Sequence, residues 1–180
     1  MYMPSSQDEE ILSLIRENVN QATSIVYSKH DKINTSILEV GPSSSYPINL
    51  KNAIHHTLDI KPSQSKSSIN FVCDICNKND FLTTVTDQYD VILLFEVLEH
   101  TSNPFFAIEN IYSRLKDGGI LYLTTPFNFR IHGPLPDNWR FTEHGLRQLL
   151  SPPWHIISIE ELPTPSRALM PIHYLTIAKK

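Results

Sequence analysis

Four carboxylates stand where short apolar runs of the chain stop. Glu39 stands at the end of the run 36–40, in Glu39-Val40-Gly41; Asp59 closes 56–60; Asp74 follows 69–73; Glu96 follows 91–95. Apolar runs of this length suit strands buried on both faces of a parallel sheet. Ligands of such sheets bind beyond the carboxyl ends of the strands, where the strand order reverses. Four successive strand ends therefore bring acids to one rim. Asp59 lies twenty positions after Glu39, the spacing at which an acid on the second strand accepts from both hydroxyls of a ribose. An acidic rim repels phosphate and favours a cofactor that is cationic or poor in phosphate. A dinucleotide needs the reverse, a GxGxxG turn whose N–H groups hold a pyrophosphate at a helix N-terminus. The segment GPSSS at 41–45 has no such turn, so NAD fits poorly.

The elements that must position these acids alternate along the chain. Residues 1–30 form an N-terminal helical segment, with Ile11, Leu12, Leu14, Ile15, Val19, Ile25 and Val26 at largely helical spacing and Ser6 or Asp8 as its cap. Strands are predicted at 36–40, 56–60, 69–73, 91–95 and 120–124. Asp74 is placed to cap a helix starting near Ile75. A clearer helix follows Ser102 and Asn103, with Pro104 in its first turn, where a missing N–H does no harm. The sequence KDGG at 116–119 is expected to end it, one glycine taking the left-handed position. Thr142 caps a helix at 143–150, with Phe141 and Leu146 as a hydrophobic staple. Two late strands near 155–160 and 173–178 are joined by a short proline-containing connection and read as an antiparallel pair closing one edge. The Ser-rich stretch 61–68 reads as a solvated loop. Strands alternating with helices imply right-handed crossovers and an α/β fold with helices on both faces of a mostly parallel sheet. One domain spans 1–180, its Rossmann-like core covering 35–180.

Composition narrows the partners. The 180 residues carry a net charge of −4, which argues against a broad nucleic-acid-binding face. No apolar run approaches the ~20 residues of a membrane span, and the polar, acidic start is no secretory signal. A cytoplasmic protein acting on a small molecule is expected. The two cysteines form Cys73-Asp74-Ile75-Cys76. A zinc site there would need two further ligands at matching spacing, so both cysteines read as structural and no metal is expected. His55 and His56, at the start of a strand, read as structural too.

Five segments in order carry a resemblance: ILEVGPSSS, HTLDI, INFVCDIC, YDVILLFEVLEHTSNP and RLKDGGILYLTTP. Together they resemble class I S-adenosylmethionine-dependent methyltransferases, in particular the branch with a VLEH segment after the fourth strand. The resemblance covers about 35–180. It implies a three-layer Rossmann-like sandwich with a seven-stranded sheet in the order 3-2-1-4-5-7-6, strand seven antiparallel. S-adenosylmethionine has a ribose, an adenine, an ammonium and a sulfonium, and no phosphate, as the acidic rim requires. By the resemblance Glu39 orients the methionine end of the cofactor and Gly41 lets the backbone approach it. Asp59 holds the ribose hydroxyls. Asp74 accepts from the adenine amino group while Ile75 lines the ring, and Phe95 and Glu96 lie near the methionine part. The departure is in the first loop, where the family has two or three glycines and this chain keeps Gly41 alone. Serine adds a Cβ that hinders close approach.

The segment NFRIHGPLPDNWRFT at 128–142 is similar to the HxPxDxWRxT segments that related methyltransferases carry beside the acceptor pocket. The resemblance makes His132, Asp137, Trp139 and Arg140 substrate-side candidates, with His100 from VLEH. A hydroxyl acceptor needs a base, and His100 and His132 titrate in the right range. The expected reaction is methyl transfer to a small polar acceptor such as a sugar or glycan precursor. The alternative is a binding module that keeps the fold and has lost cofactor binding, which the serine-rich first loop and the short span to the second strand favour.

Overall fold

Strands at Ser36–Val40 (β1), Ile54–Asp59 (β2), Phe71–Val72 (β3), Tyr89–Phe95 (β4), Leu115–Pro126 (β5), His155–Leu162 (β6) and His173–Lys179 (β7) form one sheet. Its order is β3-β2-β1-β4-β5-β7-β6. This is the arrangement in a computed structural model, which describes residues 6–45, 47–62, 69–164 and 167–180. β1 pairs in parallel with β2 and β4, β2 with β3, and β4 with β5; β7 runs antiparallel to both β5 and β6. The order reverses between β1 and β4, so a ligand crevice is expected outside their carboxyl ends. The 63–68 part of the expected Ser-rich loop lies outside the described residues.

Alternation along each strand sorts the core into two layers. Leu38, Val40, Ile92, Leu94, Leu121 and Leu123 face helices α2 (Lys78–Thr84), α3 (Pro104–Arg114) and α4 (Glu143–Leu149). Ile37, Val91, Leu93, Tyr122 and Leu175 face α1 (Ser6–His30), which buries Ile15, Val19, Ala22 and Val26 against them. Asn103 caps α3 by accepting from the Phe105 and Phe106 amides. Thr142 caps α4 by accepting from the Gly145 amide. Among the described residues no helix is long and apolar enough to cross a membrane.

Two local expectations are corrected. The glycines at 118 and 119 do not end α3; Leu115 follows its last residue, and the KDGG sequence lies inside β5. There it forms a wide bulge, since Tyr89 pairs with Leu115 but Val91 with Ile120. Gly118 takes φ +80°, and its amide donates to the Lys180 carbonyl. Nor does Asp74 cap α2. Asn77 does so, accepting from the Asp80 amide. The β1–β2 crossover also has no helix among its described residues. It is held instead by the end of α1: the Asp31 carboxylate accepts from the amides of Lys51, Asn52 and Ala53, and the Tyr27 hydroxyl from that of Asn49.

Candidate functional site

A cavity of about 1040 Å³ opens beyond the carboxyl ends of β1, β2 and β4. Of the candidate residues, Gly41, Asp59, Asp74, Ile75, Glu96, His100 and His132 line it. Leu12, Ile15 and Arg16 of α1 close one side. The N-terminal helix is thus part of the cavity wall.

At one end, Gly41 turns the chain off β1 with φ +66°, a conformation L residues rarely adopt. A Cβ there would meet Val97 Cγ2 at 2.7 Å, so both backbone and packing require glycine. The following loop makes its own turn, the Ser45 amide donating to the Ser43 hydroxyl. No helix follows among the described residues, so the loop offers no helix dipole to a pyrophosphate. Asp59 at the tip of β2 accepts from the Lys61 amide through Oδ1, and its Oδ2 has no partner among the described residues. Asp74 is arranged alike: Oδ1 accepts from the Cys76 amide, and Oδ2 has no partner among the described residues. Between them Ile75 is buried, its carbonyl accepting from the buried Asn110 side chain of α3. Both cysteines are free thiols. Burial pushes the Cys73 thiol up to about 11, which leaves it protonated and unreactive.

Two expected cofactor residues lie elsewhere. Glu39 is buried, its carboxylate 2.9 Å from His55 Nε2, and it does not line the cavity. Its alternation with Ile37 turns it to the α1 side of the sheet. Phe95 is packed in that same layer, away from the lining. His56 likewise has a packing partner, the Tyr89 hydroxyl at 2.9 Å.

Glu96 leaves β4 with φ +56°. Its Oε1 accepts from the Thr124 hydroxyl at 3.0 Å and lies 2.5 Å from His173 Nε2. His173 is fully buried, and its Nδ1 contacts Asn18 of α1 at 2.8 Å. Burial alone would raise the Glu96 carboxyl, but His173 and Thr124 outweigh it and hold the group below its usual range. An ordered polar relay therefore crosses from α1 through β7 to the cavity.

The other end is built by the turn Leu98–His100 and the loop after β5. Glu99 is fully buried, and neither carboxylate oxygen has a hydrogen-bond partner among the described residues. Burial, then the neighbouring Glu96 charge, pushes its carboxyl well above the usual range. Its Oε1 lies 3.6 Å from His132 Nε2 and 3.8 Å from His100 Nε2. His100 Nδ1 is 2.9 Å from the Pro136 carbonyl, an acceptor only, so that nitrogen carries the proton. Burial lowers the His100 imidazole, the Pro136 bond acting against it. His132 Nδ1 lies 3.0 Å from Asp137 Oδ2 without hydrogen-bond alignment, an ion-pair contact that favours the same tautomer.

Asp137, Trp139 and Arg140, expected on the substrate side, stand behind the cavity wall. The Arg140 fork grips both Asp137 oxygens at 2.5 and 2.7 Å and donates to the Arg130 carbonyl at 3.0 Å. Burial would raise Asp137, but Arg140 and the His132 amide hold it down at about 2. The Asn138 and Trp139 amides donate to the Glu99 carbonyl, and the Trp139 indole N–H to that of Thr101. Together these contacts dock the loop on the turn and hold His132 beside His100. Sequence reasoning missed Glu99, His173 and Arg16. The first had a signal, since ExxEH places Glu96, Glu99 and His100 within one turn. The other two come from elements that only the tertiary fold brings near.

A family model described as "Methyltransferase domain" matches residues 7–154. No curated protein matches. Among solved structures, the plantazolicin methyltransferase BamL, in complex with a triazolic desmethylPZN analog and SAH, superposes with a TM-score of 0.66 at 15% identity, covering 96% of this chain and 87% of that one. The Burkholderia thailandensis 1,6-didemethyltoxoflavin-N1-methyltransferase, with bound 1,6-didemethyltoxoflavin and S-adenosylhomocysteine, gives 0.63 at 14%, covering 100% and 93%. The N-methyltransferase NodS of Bradyrhizobium japonicum WM9 gives 0.62 at 13%, covering 92% and 96%.

Proposed function

The chain belongs to the methyltransferase-domain family, whose methyl donor is S-adenosylmethionine, and from that premise we propose that it methylates a small polar molecule seated between Glu96 and His132. One observation carries this reading: a single cavity has at one end two carboxylates, Asp59 and Asp74, each engaged through Oδ1 alone among the described residues, and at the other two imidazoles whose Nε2 atoms lie beside Glu99.

The residues fit the donor. Asp59 Oδ2 is available to the ribose hydroxyls and Asp74 Oδ2 to the adenine amino group, with Ile75 as the apolar wall. The first loop is small and carries no phosphate-binding turn. Glu39, taken up by His55, fits a supporting role for β1 better than direct contact. When bound, S-adenosylmethionine supplies a methyl group activated by a sulfonium, with a neutral thioether as leaving group. The chain's own work is then alignment in a dry site. α1 and the Pro-rich 133–136 stretch line the cavity. Glu96 is fixed by His173 and Thr124, so the carboxylate nearest the crossover of the two ends keeps one orientation. His100 and His132 bring their Nε2 atoms to the acceptor end of the cavity.

The neighbours named for plantazolicin and didemethyltoxoflavin act on small natural products, which supports a small acceptor. The test is transfer of labelled methyl from S-adenosylmethionine to a panel of small alcohols, phenols and amines. The reading predicts product with a subset of them and at least a tenfold loss of turnover in His132→Ala. Labelling of no small acceptor, with transfer to protein or nucleic acid instead, would contradict it.

A further inference from the structure

The acceptor end holds a feature that proton transfer does not need. Glu99 is buried with both oxygens unpartnered among the described residues, a costly state for a carboxylate unless a positive charge meets it. Two imidazole nitrogens converge on the same oxygen, at 3.6 Å and 3.8 Å. These separations are too long for hydrogen bonds. They are close to the ~3.4 Å between neighbouring ligands of a tetrahedral ion with bonds near 2.0–2.2 Å. The three donor atoms lie within 4.8 Å of one another.

The surroundings point the same way. His100 is locked by Pro136 with the proton on Nδ1, so Nε2 is a lone-pair donor. His132 has Asp137 against Nδ1, and Asp137 is itself held by Arg140. The Pro136 carbonyl bonded behind His100 is the outer support that metal-bound histidines have, and Asp137 stands in the corresponding place behind His132 as an ion-pair contact. The segment HGPLPDNWR at 132–140 thus reads as the frame of a ligand set.

We propose that Glu99, His100 and His132 bind one divalent ion of the zinc class, with its remaining coordination position open to the cavity. Two imidazoles and one carboxylate suit such an ion better than Mg²⁺, which prefers oxygen. Three protein ligands and an open position are the pattern of catalytic sites. Under the proposed methyltransferase reading, that position receives the oxygen or nitrogen of the acceptor, so the acceptor class narrows to molecules with a metal-ligating hydroxyl or amine. Ion binding itself does not depend on that reading.

Chelator-treated full-length protein, titrated with Co²⁺ as a spectroscopic stand-in, should develop strong visible absorption saturating at one equivalent, displaced by Zn²⁺ and not by Mg²⁺. Glu99→Gln and His132→Gln should each weaken binding at least tenfold, while the exposed His155→Gln leaves it unchanged. If a variant fails to fold by circular dichroism, the wild type decides: Zn²⁺ should protect His100 and His132 from acylation, read by peptide mass spectrometry. Absent absorption, equal displacement by Mg²⁺, variants that bind like wild type, or unprotected histidines would each overturn the site. S-adenosylhomocysteine calorimetry on the same samples separates the two claims. Cofactor binding without ion binding removes only the ion site; ion binding without cofactor binding removes only the methyltransferase reading.

Discussion

Replacing Gly41 with alanine should destabilise the fold by about 2–5 kcal/mol, from two separable sources. The backbone at φ +66° costs an alanine about 1–2 kcal/mol, the left-handed penalty for an L residue. The new Cβ would lie 2.7 Å from Val97 Cγ2, and relieving that overlap costs about 1–3 kcal/mol. Only the second source depends on Val97. With its methyls removed, the nearest remaining contact is 3.9 Å, to Val97 Cβ. Gly41→Ala and Val97→Ala should therefore couple favourably by about 1–3 kcal/mol in a double-mutant cycle. Urea unfolding followed by tryptophan fluorescence reads it, since Trp154 is buried in the main core. Additive effects of the two substitutions, or a loss in Gly41→Ala below about 0.5 kcal/mol, would refute the reasoning. The lone glycine of the first loop would then be a matter of composition and not of geometry.

Further outcomes follow from the same structure. Asp74→Asn should weaken S-adenosylhomocysteine binding by about 1–3 kcal/mol, the scale of a hydrogen bond to a charged group, as read by calorimetry. Arg140→Lys should lower stability by about 1–3 kcal/mol because a lysine cannot replace the two-pronged grip on Asp137, with thermal unfolding as the measure. Trp139→Phe should spare cofactor affinity and reduce turnover, because the lost bond to the Thr101 carbonyl loosens the loop that carries His132. Asp90 joins Lys116 and Ser36; burial works against its charge, but these partners prevail and hold its carboxyl below the usual range. A depressed folded-state value means stability present above the unfolded value and lost as pH falls through the folded one. Asp90→Asn should therefore cost about 1 kcal/mol at neutral pH, and the gap to wild type should close in acid; a pH-independent gap in urea midpoints would rule this out.

The sheet was legible because its central strands bury both faces. Val91 to Phe95 is an uninterrupted apolar run, and it lies at the centre of the sheet. Rim acids were legible at Asp59 and Asp74 for the same reason: each ends an apolar run. The face that Glu39 takes was not legible, because a run buried on both faces does not reveal which face a given residue takes. Period two settles that only once Ile37 is seen against α1. The KDGG bulge was missed because a helix end and a bulge both ask for a left-handed glycine. The placement of Trp139 and Arg140 needed coordinates, since their partners include the backbone carbonyls at 99, 101 and 130, which no side-chain pattern announces.

Isothermal titration of the full-length protein with S-adenosylhomocysteine, repeated on Asp59→Asn, bears most directly on the central claim. The account predicts saturable one-to-one binding that weakens at least tenfold in the variant. No heat at millimolar ligand, or equal affinity in both proteins, would contradict it.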